Sequence, residues 1–181
     1  MMINAETHIA RKYAQAFLNV SGDCISLDDY KRLYKVQEFF QQHHTQLFFL
    51  SLPMISRDDK VAYLKRVFDC FGVSVDMTQL VTLLVYHKRA HSMGMIVRFI
   101  CRLYKKEHNI ARFQIQASHA LRKDELEVII DFLARTTRKT IVYDYMINKK
   151  LIAGIRLQSD TAMWEHSIAR QLERVQLPLI R

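Results

Sequence analysis

Residues 109–117 have the sequence NIARFQIQA, and this stretch decides the fold. Apolar residues occupy alternate positions from Ala111 to Ala117, with arginine and glutamine between them, which is the period of a strand with one buried face. Upstream of this stretch, apolar residues recur at intervals of three or four, as they do on one face of a helix. The change of period predicts a boundary between an N-terminal helical domain, 1–108, and a C-terminal domain, 109–181.

The N-terminal domain carries several helix start and stop signals. Ser26 is followed three residues later by Asp29, and Ser56 by Asp59, which is the spacing of a capping box. Gly72 is the expected stop of the helix that follows the second signal. These signals and the apolar periods predict a bundle of five or six short helices. Their apolar faces are carried by Ile9, Tyr13, Ala16, Phe17 and Val20, by Tyr30, Leu33, Tyr34, Gln37 and Phe40, by Val61, Leu64, Phe68 and Phe71, by Leu80, Leu83, Leu84 and His87, and by Met93, Ile96, Val97, Ile100, Leu103 and Tyr104.

Helical and alternating periods also follow one another downstream of the first strand. A helix is predicted from about Lys123 to Thr137, and alternation returns over 141–147 and again over 155–157. A last helix is predicted from Ile168 onward. The C-terminal domain is therefore predicted to be a small α+β unit with the order strand, helix, strand, strand, helix. Together with the N-terminal bundle, this makes the predicted fold class mainly α.

Composition excludes several classes of protein. Half of the 181 residues are hydrophobic, a quarter are charged, and only four glycines and two prolines are present, which argues against a disordered or loop-rich chain. The longest nearly apolar run, 47–55, is far shorter than the ~20 residues that span a bilayer. Three widely spaced cysteines without a CxxC pair predict no disulfide framework and a reducing compartment. The first residues lack the features of a signal or transit peptide, so we expect the protein to stay in the compartment where it is made.

No cluster of residues predicts catalysis or cofactor binding. The four glycines are isolated, whereas a phosphate-binding loop needs clustered glycines. His87 and His91 have a metal-ligand spacing but no HExxH motif, so we interpret them as solvated or capping residues. Cys70 and Cys101 lie among the apolar positions of predicted helices, where a cysteine usually acts as a small hydrophobic residue rather than as a nucleophile. No catalytic residue, cofactor site or metal site is therefore predicted.

The charge balance leaves a nucleic-acid partner as an alternative. The net charge is +9, and it is spread over both predicted domains, with +5 in the first and +4 in the second. Basic pairs such as Lys88-Arg89 and Lys105-Lys106 are short, and the nearby Tyr104 fits a core position better than a base-stacking platform. The composition and charge thus leave two functional hypotheses open, a basic helical nucleic-acid-binding protein and a small cytosolic enzyme. A steep loss of affinity for DNA or RNA with rising salt would identify the first of them.

Three stretches of the chain resemble a known family. Residues 9–17 have the sequence IARKYAQAF, an Ala-basic-basic-Tyr-Ala segment that leads into an apolar helix face. The second stretch is a junction at Pro53, followed by a helix and by the Leu-rich, basic-ended segment 80–89. The third joins the glycine-bearing segment 151–157 to the closing segment 167–174, SIARQLER. In this order and at this total length, they resemble the δ subunit of F-type ATP synthases, the family of the mitochondrial oligomycin-sensitivity-conferring subunit.

The resemblance has two departures, and both lie near the C-terminal turn. Ala153 stands where a second glycine is usual in the family, and Trp164, Glu165 and His166 replace the usual Asp-Gly approach to Ser167. They bear on the geometry of that turn and not on the family.

The resemblance implies a non-catalytic connector in the peripheral stalk, which links the α3β3 catalytic head to the b subunits and supports proton-driven ATP synthesis. In the family, the N-terminal bundle accepts amphipathic N-terminal segments of α subunits, and the C-terminal domain engages the b subunits. No cofactor and no nucleic acid are implied, and the membrane is reached only through the complex. The lack of a presequence favours the cytoplasmic face of a bacterial inner membrane. Docking of a helix between the first and fifth helices gives the expected partner-binding residues Tyr13, Ala16, Phe17, Leu80, Leu84 and His87.

Overall fold

The chain divides into two compact units, Met1–Glu107 and His108–Arg181. The computed structural model describes residues 2–176. The described part of the first unit has six α-helices, which confirms the predicted bundle. They are α1 (Met2–Ser21), α2 (Leu27–Gln42), α3 (His44–Phe49), α4 (Arg57–Cys70), α5 (Thr78–Tyr86) and α6 (Met93–Glu107), with short 3-10 helices at Gly22–Cys24 and Ala90–Ser92.

Hydrogen bonds at the starts of two helices confirm the predicted capping signals. Before α2, the Ser26 hydroxyl accepts the Asp29 N–H at 3.1 Å, and the Asp29 carboxylate accepts the Ser26 N–H at 3.3 Å, which completes a capping box. Burial alone would raise the pKa of the Asp29 carboxyl, but hydrogen bonds from Ser26 and Ser74 hold it below its ordinary value. Before α4, the Ser56 hydroxyl accepts the Asp59 N–H at 3.1 Å. Both helices therefore begin where the sequence predicts.

The core of the first unit is built around α6, which packs against α1 and α2. The Tyr104 hydroxyl donates to the carbonyl oxygen of Ile25 at 2.8 Å, and its ring stacks on that of Tyr30 with the centroids 5.5 Å apart. The hydrogen bond offsets the cost of removing this buried hydroxyl from water. The two contacts join α6 to the start of α2. The buried residues of α6 are Met93, Ile96, Val97, Ile100, Cys101 and Tyr104.

The second unit contains one mixed sheet. The elements of this unit are β1 (Ile110–Ala117), α7 (Lys123–Thr137), β2 (Thr140–Ile147), β3 (Gly154–Gln158), β4 (Met163–Ser167) and α8 (Ile168–Gln176), with a short 3-10 helix at Lys149–Leu151. Strands β1 and β2 are parallel and are connected through α7, whereas β3 runs antiparallel to β1 and β4 antiparallel to β3. The strand order in the sheet is β2-β1-β3-β4.

One face of this sheet forms the core of the second unit. Ala111, Phe113 and Ile115 of β1 are buried there with Leu133 of α7 and Leu157 of β3. Because successive side chains of a strand point to opposite faces, the alternation in 109–117 places these three residues together under α7. The period of the first strand was thus predicted correctly, and its apolar positions are the core.

The fourth strand is absent from the prediction, which gave three strands. In β4 only Ser167 is buried, so the segment lacks the apolar alternation by which a strand is recognised. Its pairing with β3 instead depends on Gly154, which has a φ of +103°; a Cβ at this position would lie 2.0 Å from the carbonyl oxygen of His166. Trp164 reaches the core, with its ring centroid 5.8 Å from that of Phe113. The departure from the family pattern at 164–166 is therefore a strand and not a turn.

Candidate docking groove

A groove of about 300 Å³ lies between α1 and α5 of the first unit. Its walls are mostly apolar, and it holds no cluster of ionisable side chains. The described residues that line it are Tyr13, Ala16, Phe17, Val20 and Ser21 from α1, and Asp76, Gln79, Leu80 and Leu83 from α5 and the residues just before it.

The groove has a buried floor and an exposed rim. Phe17 and Leu80 form the floor, with 8% and 7% of their surfaces exposed. Val20 and Leu83 form the rim and remain 80% and 45% exposed. The groove therefore leaves apolar side chains exposed beside a buried apolar floor. The opposite face of α1, which includes Ala14, is buried in the core. The helix α1 therefore contributes one face to the groove and the other to the core of the first unit.

Four of the six predicted partner-binding residues line the groove, and these are Tyr13, Ala16, Phe17 and Leu80. Leu84 does not line the groove, because its side chain is fully buried in the core of the first unit. His87 is exposed just beyond α5 and does not line the groove; its ring packs edge-on against that of Tyr86.

Sequence reasoning left five lining residues out of the predicted site. Val20 continues the three-and-four spacing of the α1 face, so that period would have added it. Gln79 is polar, and Leu83 belongs to a helix that is apolar on almost every side, so periodicity does not select them. Ser21 and Asp76 lie at the edges of their helices, where periodicity gives no signal.

Asp76 carries the single charge among the described residues that line the groove. One of its carboxylate oxygens accepts the Thr78 N–H at 2.8 Å, in the first turn of α5. Hydrogen bonds from Thr78 lower the pKa of the Asp76 carboxyl below its ordinary value, so the group is ionised at neutral pH. The groove therefore combines an apolar floor with one negative charge.

The residues considered for metal binding or nucleophilic catalysis do not form a site. Among residues 2–176, no three histidine, cysteine, aspartate or glutamate side chains come close enough to hold a metal ion. Nε2 of His91 lies 3.9 Å from the carboxylate of Glu6. Cys101 is buried as predicted, but Cys70 is exposed at the end of α4, which corrects its interpretation as a core residue.

Exposed apolar side chains are frequent on the second unit. Val128 and Phe132 lie four residues apart on α7 and are 70% and 56% exposed, and Ile168 and Leu172 have the same spacing on α8. The two edge strands add Tyr143, Met146 and Ile147 from β2, and Met163 and Trp164 from β4. Among the helices that the structure describes, none has the length and apolar character that a membrane span requires.

Residues 9–179 match the family described as ATP synthase delta (OSCP) subunit. The chain belongs to this family. The ATP synthase subunit delta of Bacillus cytotoxicus is 25% identical to it over 175 residues, which cover 96% of each chain. The corresponding subunit of Bacillus thuringiensis strain Al Hakam is 24% identical over the same length and coverage. Among solved structures, a chain of the Toxoplasma gondii mitochondrial ATP synthase hexamer shares the fold, with a TM-score of 0.58, 19% identity and coverage of 95% and 97% of the two chains.

Membership of the delta (OSCP) family establishes the general role of the chain. It is a non-catalytic subunit of the peripheral stalk of the F-type ATP synthase. It is thus a peripheral component of a membrane-bound complex, and its partners are other subunits of that complex. The alternative of a nucleic-acid-binding protein receives no support from these comparisons.

Proposed function

We propose that this subunit links the α3β3 catalytic head to the b subunits and so supports proton-driven ATP synthesis. In this proposal, the first unit holds the amphipathic N-terminal segment of an α subunit in the groove between α1 and α5. The second unit engages the b subunits. The proposal places the protein on the cytoplasmic face of a bacterial inner membrane, for which its similarity to Bacillus subunits is the support.

The groove is the single observation that carries the assignment of the first unit. The α1 part of the groove extends from Tyr13 to Ser21, which corresponds to about 12 Å or a little over two helical turns. An amphipathic helix fits such a surface by placing apolar residues at intervals of three and four into it. Val20 and Leu83 are largely exposed and would be covered, and full burial of an aliphatic side chain contributes roughly 1.5–3 kcal/mol.

The exposed apolar residues of α7 and α8 support the assignment of the second unit. Val128 with Phe132, and Ile168 with Leu172, present apolar pairs at the spacing of one helical turn. A helical partner such as the end of a b subunit can cover such pairs, since the ridges of one helix pack into the grooves of another. Neighbouring exposed apolar side chains on one helix face are typical of a surface that a partner covers.

A stator has to resist the torque of the rotor without being released. For this purpose the subunit needs contacts that dissociate slowly, and large, well-packed interfaces provide them. Because both partners belong to one complex, binding at one surface also raises the effective concentration of the other partner at its own site. A connector therefore needs no reactive centre, in agreement with the non-catalytic role of its family.

Peptide binding tests this function directly. The full-length chain is titrated with a synthetic peptide of the N-terminal segment of the α subunit from the same complex. We expect saturable binding, a loss of at least tenfold in affinity for Leu83→Asp on the groove rim, and no loss for Val128→Asp on α7. Failure of the wild-type chain to bind the peptide, or equal loss in both variants, would contradict the assignment.

A further inference from the structure

Asp76 places a negative charge at one end of the groove, whose other described lining residues carry no charge. It stands immediately upstream of the α5 residues that line the groove, so the negative charge lies at the end of the α5 wall where that helix begins. Leu80 and Leu83 follow along the same wall and are apolar. The sign of this charge is opposite to that of the chain as a whole, whose net charge is +9.

The Asp76 carboxylate is fixed in position and remains available to a partner. Its bond to the Thr78 N–H, at 2.8 Å, holds the side chain at the start of α5. Lys65 contributes to the low pKa of Asp76 through its charge, after the larger effect of the Thr78 hydrogen bonds. Nevertheless, in the part of the chain that the structure describes, Asp76 makes no ion pair with a lysine, arginine or histidine. A cation on a docked molecule could therefore form the first ion pair of this carboxylate.

An apolar groove by itself specifies a docked helix poorly. A helix that is reversed, or shifted by one turn, can still place apolar residues against Phe17 and Leu80, because apolar contacts have no direction. A charge at one end removes this ambiguity, since a misplaced helix either leaves the carboxylate without a partner or brings a like charge near it. Single polar positions fix the register of coiled coils in the same way.

We infer that Asp76 selects a docked helix that carries a lysine or arginine beside its apolar stripe, and that this ion pair fixes the direction and register of the helix in the groove. The inference rests on the proposed function of the groove and names the chemistry of its partner more closely. Asp76 is a specificity-determining residue in this account, while the affinity comes mainly from the apolar floor and rim. The pair lies at an exposed rim, so its effect on affinity is moderate and depends on salt.

The variant Asp76→Asn isolates the charge from the structural role of the side chain. Asparagine keeps an oxygen that can accept the Thr78 N–H, so the start of α5 is preserved. Asp58→Asn makes the same change of net charge in the first turn of α4, at an exposed residue outside the groove, and serves as the matched control. Thermal unfolding of both variants verifies that the first unit remains folded.

The test uses the full-length chain and the synthetic α-subunit N-terminal peptide, together with peptides in which each lysine or arginine is replaced singly by glutamine. At low salt, we expect Asp76→Asn to weaken binding of the unmodified peptide roughly three- to tenfold, and Asp58→Asn to leave it unchanged. Rising salt should reduce the difference. Replacing one particular basic residue of the peptide by glutamine should weaken binding to the wild-type chain but not to Asp76→Asn. A peptide with glutamate at that position should bind Asp76→Lys more tightly than it binds the wild-type chain. A spin label placed next to that position should broaden the Thr78 amide resonance more than that of Tyr86.

The possible outcomes separate the two levels of the argument. If the wild-type chain binds no form of the peptide, the proposed function fails and the inference fails with it. If the wild-type chain binds but Asp76→Asn behaves like Asp58→Asn, the inference alone is overturned. Equal coupling of Asp76 to every basic residue of the peptide would also overturn it, because a non-specific attraction cannot set direction or register.

Discussion

The two units of the molecule bury their apolar side chains to different degrees. In the described residues, the first unit has 27 buried hydrophobic residues and six large exposed ones, whereas the second has nine buried and ten exposed. A small domain with few buried residues has little stability of its own, and one with more apolar surface than core gains stability from a partner. Among the described residues, the first unit thus has the larger core, whereas the second exposes at least as many large apolar side chains as it buries hydrophobic ones.

The largest effect is expected for a substitution in the second unit. Gly154→Ala places a methyl group against the His166 carbonyl and forces a non-glycine residue to a φ of +103°. We expect it to separate β3 from β4 and to cost on the order of 2–4 kcal/mol. Urea unfolding, followed by Trp164 fluorescence for the second unit and by amide exchange for both, measures the change.

Gly22→Ala in the first unit is the control for this prediction. A Cβ at Gly22 would meet its nearest neighbour, Leu18, at 3.9 Å, which is ordinary contact. We therefore expect little change in stability. If Gly154→Ala were as harmless as Gly22→Ala, the account of β4 and the view of the second unit as weakly held would both be wrong.

A smaller effect is expected from the ion pair between β3 and β4. Glu165 accepts hydrogen bonds from Arg156 at 2.9 Å and from the Ser167 hydroxyl at 2.5 Å, and they hold the pKa of its carboxyl below its ordinary value. Because the folded form has the lower pKa, this contribution is complete above the unfolded pKa and is lost as the pH falls through the folded one. Glu165→Gln should cost about 1 kcal/mol at neutral pH and reduce the acid sensitivity of the second unit.

Unfolding midpoints measured between pH 3 and pH 7 check this result, with Glu127→Gln on the exposed surface of α7 as the control. The control should retain the acid sensitivity of the wild-type chain. A Glu165→Gln variant with the same pH dependence as the wild-type chain would show that the pair does not stabilise the sheet.

The smallest effect on the free chain is expected at the exposed apolar surface. Val128→Ser and Phe132→Ser alter side chains of α7 that are 70% and 56% exposed, so each should change the free energy of unfolding by less than about 0.5 kcal/mol. Both should nevertheless weaken binding of purified b subunit. Phe48→Ser, at a 65% exposed position of the first unit, should leave that binding unchanged. Equal binding by all three variants would remove α7 from the proposed interface.

Much of the fold followed from the sequence because its two periods are clear. The helical spacing of α6 and the alternation of β1 placed most of the right residues in the core, whereas only Phe17 of the predicted α1 face is buried. The strand β4 has no such alternation, since its pairing is determined by the backbone at Gly154 and not by a buried face of its own. A long-range requirement of this kind leaves no periodic trace in the sequence.

The groove was predicted in part, and the errors have a physical cause. The α1 wall follows from the helical spacing of Tyr13, Ala16 and Phe17, although the core face of that helix is formed by Ala10, Ala14 and Leu18. The helix α5 has the sequence TQLVTLLVY and is apolar on almost every side, so periodicity could not distinguish the buried Leu84 from the exposed Leu83. Burial in the folded unit decides between them.

The central claim is that the groove between α1 and α5 holds a segment of another subunit in the assembled enzyme. A photoreactive amino acid placed at Val20, whose side chain is 80% exposed on the groove rim, tests it most directly in the intact complex. The control position is Met54, which is 93% exposed and does not line the groove. The account predicts a crosslink from position 20 to the N-terminal segment of an α subunit and none to that segment from position 54. A complex that assembles normally but gives no such crosslink from position 20, or gives the same one from both positions, would contradict it.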